Sequence, residues 1–201
     1  MTDHQLLALA GFSIASSFTP GPNNLMLMAS GANFGLRRSL PHMMGVTLGF
    51  AAMVVLMGLG LAGLILAVPQ LMVVLKIVSV VYMLWLAWKV AHAAAPQAGG
   101  PGGKGAGHPT TFLQAAGFQW VNPKAWAMAL TANAVYAPQG LLWDVGIVGL
   151  VLGLVSLPSV AVWAWAGQVV QRWLANPRAL ALFNWTMAVL LVASLWPILK
   201  T

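Results

Sequence analysis

The stretch Phe18-Thr19-Pro20-Gly21-Pro22-Asn23-Asn24 lies inside a run that is otherwise largely apolar from about Gln5 to Met28. A run of that length is what a membrane-spanning helix requires, roughly 20 residues. Two prolines in its middle forbid a continuous helix, because each removes a backbone donor and collides with the carbonyl four residues back. The carbonyls so released cost ~2–7 kcal/mol each in hydrocarbon unless protein or water reaches them. A second such break stands far along the chain, at Val121-Asn122-Pro123-Lys124-Ala125-Trp126, inside the apolar run Phe112 to Tyr136. With Pro20 superposed on Pro123, Ser16, Thr19, Asn23 and Ser30 fall on Gln119, Asn122, Trp126 and Asn133. The common spacing i, i+3, i+7, i+14 lines each set along one helix face.

Outward from these breaks the whole chain reads as membrane-embedded. Its 201 residues are 60% hydrophobic and 5% charged, where a soluble domain carries roughly 25% charged residues. Four further apolar runs, Met43 to Leu66, Leu71 to Val90, Leu141 to Val169 and Ala179 to Leu199, bring the expected spans to six. The fold class is therefore an all-α integral membrane protein embedded in a lipid bilayer. The formal charge of +7 does not signal nucleic acid, since the basic residues stand singly or as the one pair Arg37-Arg38 rather than on a basic face. With no cysteine, disulfides and thiolate metal sites are excluded. Met1 to Leu9 has no basic n-region, so the first run is expected to be a retained helix.

Basic residues orient the spans, because cytoplasmic loops are enriched in them. Arg37 and Arg38, Lys89 and Lys104, and Arg172 and Arg178 fall between spans one and two, three and four, and five and six; Lys76 and Lys200 fall on the other side. Both termini are thus expected outside. Residues 92–110, rich in Gly, Pro and Ala, form a linker. It separates residues 1–91 from 111–201, two sets of three helices, and an odd number per half makes the halves inverted. Small-residue pairs repeat as well: Gly45 and Gly49 in the second span, Gly149 and Gly153 in the fifth, which let helices approach closely within one chain or between copies.

Matched breaks at the midplane point to a cavity. Transporters with inverted repeats bind substrates where discontinuous helices meet and half-helix ends supply oriented dipoles. An amino acid would offer its carboxylate to amide donors and its ammonium to freed carbonyls. Candidate binding residues are Thr19, Pro20, Gly21, Pro22, Asn23, Asn24, Asn122, Pro123, Lys124 and Trp126. Proline also serves as a plain kink in membrane helices, which is how Pro158 reads. Lys124 has two readings, holding a substrate carboxylate or extending its stem to the cytoplasmic surface. Trp126, beside the break, either shapes a pocket for a cation or packs. Trp85, Trp88, Trp143, Trp173 and Trp196 fall near helix ends, as an aromatic belt does. Asp3 and Asp144, the only acidic residues, map to the outer end, so no buried carboxylate relay is available and proton coupling lacks an obvious carrier. His42, beside the arginine pair, is expected at the cytoplasmic surface, and the remaining histidines are too dispersed to bind metal.

The run from Phe18 to Asn24, followed by Gly31, Gly35, Arg37, Ser39, Gly45 and Gly49 and then by Asn122-Pro123-Lys124-Ala125, resembles the LysE/RhtB family of amino-acid exporters over essentially the whole chain. The resemblance implies a bacterial inner-membrane protein without cofactor or catalysis, which moves small amino acids or their derivatives outward. It lies nearer to exporters of cysteine with O-acetylserine, or of homoserine with threonine, than to lysine exporters. Two rivals are a cation or metal-ion exporter of related six-helix fold and a non-transporting membrane subunit. The first needs buried oxygen or nitrogen ligands that the chain does not offer, and the second has no use for matched breaks.

Overall fold

The computed structural model describes residues 1–93, 108–171, 173–174 and 176–196. Among them every regular element is helical: α1 (Asp3–Phe18), α2 (Pro22–Phe34), α3 (Leu36–Leu56), a π-helical turn (Met57–Leu61), α4 (Ala62–Leu66), α5 (Pro69–Ala91), α6 (Phe112–Phe118), a 3-10 turn (Gln119–Val121), α7 (Pro123–Tyr136), α8 (Leu142–Gln171) and α9 (Pro177–Ala193). Three apolar stretches are long enough to cross a membrane by themselves, Leu36–Ile65, Val73–Ala91 and Leu142–Gln171; Pro177–Ala193 is apolar but shorter. Most of the linker, with Lys104, Arg172 and Lys200 of the charge count, lies outside the described residues.

The two proline-containing runs are each divided into shorter helices. Thr19 leaves α1 in an extended conformation, Gly21 is extended at φ −169° and ψ 177°, and Pro22 starts α2. In the second run, α6 tightens into the 3-10 turn, Asn122 is extended at φ −91° and ψ 108°, and Pro123 starts α7. Proline suits a first helical position, where its missing N–H would be unpaired anyway.

Contacts along α8 pass from its start to its end as α1 gives way to α2. The chain's amino terminus lies 3.4 Å from Asp144, Ser159 donates to the Ser17 carbonyl at 2.8 Å, a Cβ on Gly31 would overlap the Ala164 backbone and one on Gly167 the Met28 carbonyl. The α1–α2 pair therefore runs the length of the thirty-residue α8 in the same direction. The α6–α7 pair follows α3 likewise: Gly45 faces Phe112 and Ala115, Gly49 faces Ala116, and Gly58, just beyond α3, faces Asn133. Gly149 and Gly153 face Val55 and Ala51 of α3, so all four glycines of the paired motifs sit at helix contacts within the chain. Helices α5 and α9 pack on each other and complete the bundle.

Large apolar side chains left exposed are concentrated on α5, α8 and α9, and Trp85, Trp88, Trp143, Trp173 and Trp196 are among them, as expected of surfaces that meet lipid. Two expectations need correction. Arg37 and Arg38 occupy the first turn of α3 rather than a loop, since Gly35, at φ 77°, makes the whole connection from α2 by itself. That backbone conformation is open to glycine at no steric cost. His42, with 0% exposure, belongs to the interior and not to the cytoplasmic surface. The polar run Arg37-Arg38-Ser39 and Pro41 disguised the start of a helix whose inner face is buried from Ser39 onward.

Candidate functional site

Two carbonyls at the first break, those of Ser17 and Thr19, find their partners in side chains. Asn24, buried in the first turn of α2, donates through Nδ2 to the carbonyls of Ser17 (2.8 Å) and Thr19 (3.0 Å). Ser17 O accepts from Ser159 as well, and Thr19 O accepts from Lys124 Nζ, which arrives from the second break. Gly21 makes room for this lysine: a Cβ there would stand 2.7 Å from Lys124 Cδ. At the second break, Asn122 Oδ1 accepts from the Lys124 backbone N–H at 3.1 Å and caps α7. That N–H is the one the Trp120 carbonyl would meet in a continuous helix, and Trp126 Nε1 takes its place at 2.9 Å. Trp126 is thus buried, with its indole N–H committed to the backbone.

A second tie joins the breaks. Asn23 and Gln119 exchange amide hydrogen bonds of 2.8 and 3.2 Å, and Gln119, with 0% exposure, donates also to the Ala115 carbonyl. Gln119 belongs to the polar stripe of the second run, but nothing in the sequence pairs it with Asn23. Thr19 and Pro20 are exposed, Gly21, Pro22 and Asn122 buried, and Pro123 and Lys124 half-buried.

Two spaces adjoin these ties and share Gly21 and Lys124 in their walls. One is a polar pocket of about 40 Å³ with Ser16, Ser17, Asn23, Asn24, Asn122, Ser156 and Ser159 around it, and Val46, Phe50 and Val160 as its apolar wall. Its volume suits one or a few water molecules, not an amino acid. The other is a cavity of about 960 Å³, mostly apolar, between the start of α7, the first turns of α5 and the end of α9, lined by Lys76, Ser79, Ala127 and Leu130 among others. Lys124 and Gly21 form the partition between them.

The opposite end of the bundle, which carries Arg37, is tightly closed. Gly31 and Gly167 bring the backbones of α2 and α8 together. Gln168 Oε1 accepts from the Leu36 N–H, Ser30 pairs with Ser39 at 2.9 Å, and Asn33 pairs with the fully buried Asn184 at 3.0 Å, which donates in turn to the Ala93 carbonyl. Of these residues, the sequence had marked Gly31 and Ser39 in the family motif and Ser30 in the polar stripe. Among the described residues, no group of three His, Asp or Glu side chains could hold a metal ion.

The model of the LysE type translocator family matches residues 14–193. The chain belongs to this family. Its relatives include the cysteine/O-acetylserine efflux protein of Salmonella choleraesuis strain SC-B67, 33% identical over 177 residues, covering 86% of this chain and 87% of the relative. The protein of the same name from Klebsiella pneumoniae is 31% identical over 196 residues, 96% of this chain and 95% of the relative. That of Escherichia coli K12 is 30% identical over 176 residues, with 86% and 87% covered. No solved structure gives a significant match. As a LysE-type translocator related to efflux proteins, the chain is a multi-pass membrane transporter of the amino-acid-exporting kind, built from helices.

Proposed function

We propose that this translocator exports small neutral amino acids or their derivatives, of the cysteine and O-acetylserine class, from the cytoplasm by alternating access between two inverted three-helix repeats. Six spans result when α1 with α2, and α6 with α7, each count as one broken span. The parallel courses of α1–α2 along α8 and of α6–α7 along α3 support this count, since inverted repeats require such a correspondence. The observation that carries the reading is the double tie between the breaks, Asn23 with Gln119 and Lys124 with the Thr19 carbonyl. These groups satisfy one another while the polar pocket is too small for substrate. An incoming amino acid would replace the ties: its carboxylate taking Lys124 Nζ and an amide donor of Asn23 or Asn122, its ammonium taking the Thr19 and Ser17 carbonyls. Pro20, Pro22 and Pro123 keep the helices broken, and Trp126 holds the second break in shape.

In this conformation the Arg37 end is sealed and the larger cavity opens in the other half, which corresponds to access from outside if Arg37 marks the cytoplasm. The amino terminus pairs with Asp144, at the end of α8 away from Arg37. The lipid bilayer in question is the inner membrane of a bacterium. The test is counterflow of labelled amino acids in proteoliposomes, with Asn23→Ala and Asn122→Ala as variants. Exchange by the parent protein that drops in both variants, at equal protein levels, supports the site; exchange unchanged in both removes it.

A further inference from the structure

His42 has no place in the site described above, and its surroundings are unusual. The side chain is fully buried on α3, and neither Nδ1 nor Nε2 has a hydrogen-bond partner among the protein atoms. Buried imidazoles ordinarily donate from one nitrogen and accept at the other, and a missing partner costs ~1–3 kcal/mol. Nothing on the neighbouring elements opposes a charge there either. Helices α2 and α6 and the 3-10 turn, all packed on α3, contain no titratable residue. The π-helical turn has none, α8 offers Asp144 at its far end, α7 offers Lys124 and Tyr136, and α3 itself carries Arg37 and Arg38, both exposed. His42 is therefore the one titratable side chain buried among these elements in the half that carries Arg37.

Its position relative to the pocket gives this isolation a use. Val46, one turn further along α3, lines the polar pocket, so the backbone position of His42 lies about 6 Å along the helix axis from that of Val46. One turn earlier on α3, Ser39 meets Ser30 of α2 at the closed end. With no protein group to fix its tautomer or balance its charge, the protonation of such a ring is governed by its access to water.

We propose that His42 is the proton-binding site of the transporter, taking one proton on a ring nitrogen from water that enters by the pocket, and releasing it to the cytoplasm when α2 and α8 part. Proton entry would thereby be exchanged for amino-acid exit. This rests on the exporter reading, and the chain offers no buried carboxylate that could serve instead, Asp3 being exposed and Asp144 lying at the amino-terminal end of α8.

The test separates exchange from coupling in proteoliposomes. Counterflow of cysteine, O-acetylserine and other neutral amino acids is measured without a gradient, then accumulation driven by an imposed pH gradient. His42→Gln is expected to keep counterflow within about twofold while losing more than about tenfold of the gradient-driven accumulation. The proposal is overturned if the parent protein ignores the gradient, or if His42→Gln accumulates as the parent does. Absence of counterflow by the parent with every amino acid overturns the exporter reading and this proposal with it. If His42→Gln does not fold, the triple variant His4→Gln, His92→Gln, His108→Gln leaves His42 as the sole histidine, since the chain has four. Its nitrogen-15 spectrum is expected to show the ring passing from neutral to protonated on acidification with saturating substrate; a signal that does not move rejects the proposal.

Discussion

Lys124 Nζ, at the start of α7, donates to the carbonyl of Thr19, at the end of α1, so that a cation from one helix break satisfies a backbone group released by the other. The bond forms part of the wall between the small polar pocket and the large cavity. Removing the ammonium while keeping the stem, as in Lys124→Met, is expected to lower amino-acid export by about tenfold or more, the effect of losing a charged hydrogen bond worth ~1.5–3 kcal/mol. Lys124→Arg, whose planar fork does not fit the same point contact, should recover only part of the rate. Counterflow in proteoliposomes measures both, and full activity of Lys124→Met would show that the bond has no part in transport.

The Asn23–Gln119 pair is expected to be coupled in both stability and transport. Asn23→Ala leaves the buried Gln119 amide short of a partner, and Gln119→Ala does the same to Asn23. A double-mutant cycle on the thermal midpoint in detergent should give a coupling of about 0.5–3 kcal/mol. Additivity within error would mean the two amides do not depend on each other. Asn24→Leu should be worse than either, because it deprives the Ser17 carbonyl of one of its two donors and the Thr19 carbonyl likewise.

The sequence discloses such positions unequally. Pro20, Pro22 and Pro123 announce the breaks because proline lacks a donor wherever it stands, and apolar runs announce helices because lipid leaves no alternative. Which side chain repairs which carbonyl was not legible: Asn24 and Trp126 were visible as neighbours of the breaks, but their backbone partners depend on how the chain turns at Gly21 and Asn122. Contacts distant in the chain were hidden altogether. Asn33 and Asn184 are 151 positions apart, and Gly31 meets Ala164 only because α2 follows α8. His42 was misread for a local reason, since Arg37, Arg38 and Pro41 look like a loop, whereas the single residue Gly35 turns the chain and α3 starts at once.

The cavity beside α7 should be sensitive to bulk. Ala127 is exposed and lines that cavity, so Ala127→Trp adds volume without disturbing the core. It is expected to reduce export several-fold with unchanged protein level and thermal midpoint, while Ala127→Ser stays near the parent. Equal export by Ala127→Trp and the parent would mean that substrate does not pass through this space.

The seal between α2 and α8 makes a directional prediction. A Cβ at Gly167 would overlap the Met28 carbonyl and the Ala32 N–H nitrogen, and because both are backbone atoms of a helix, the overlap is relieved only by moving α2 away from α8. Gly167→Val is therefore expected to favour the conformation open at the Arg37 end, rather than simply to unfold the bundle. The chain's lack of cysteine makes this measurable with one reporter. Ser30, buried with 6% exposure on α2 and paired with Ser39, can be replaced by cysteine and labelled with a membrane-impermeant maleimide in inside-out vesicles. Labelling in the Gly167→Val background should be about tenfold faster or more than in the parent background, corresponding to ~1.4 kcal/mol of population shift. Equal rates would mean that the glycine contact does not hold this end closed, and faster labelling from right-side-out vesicles would reverse the orientation drawn from Arg37.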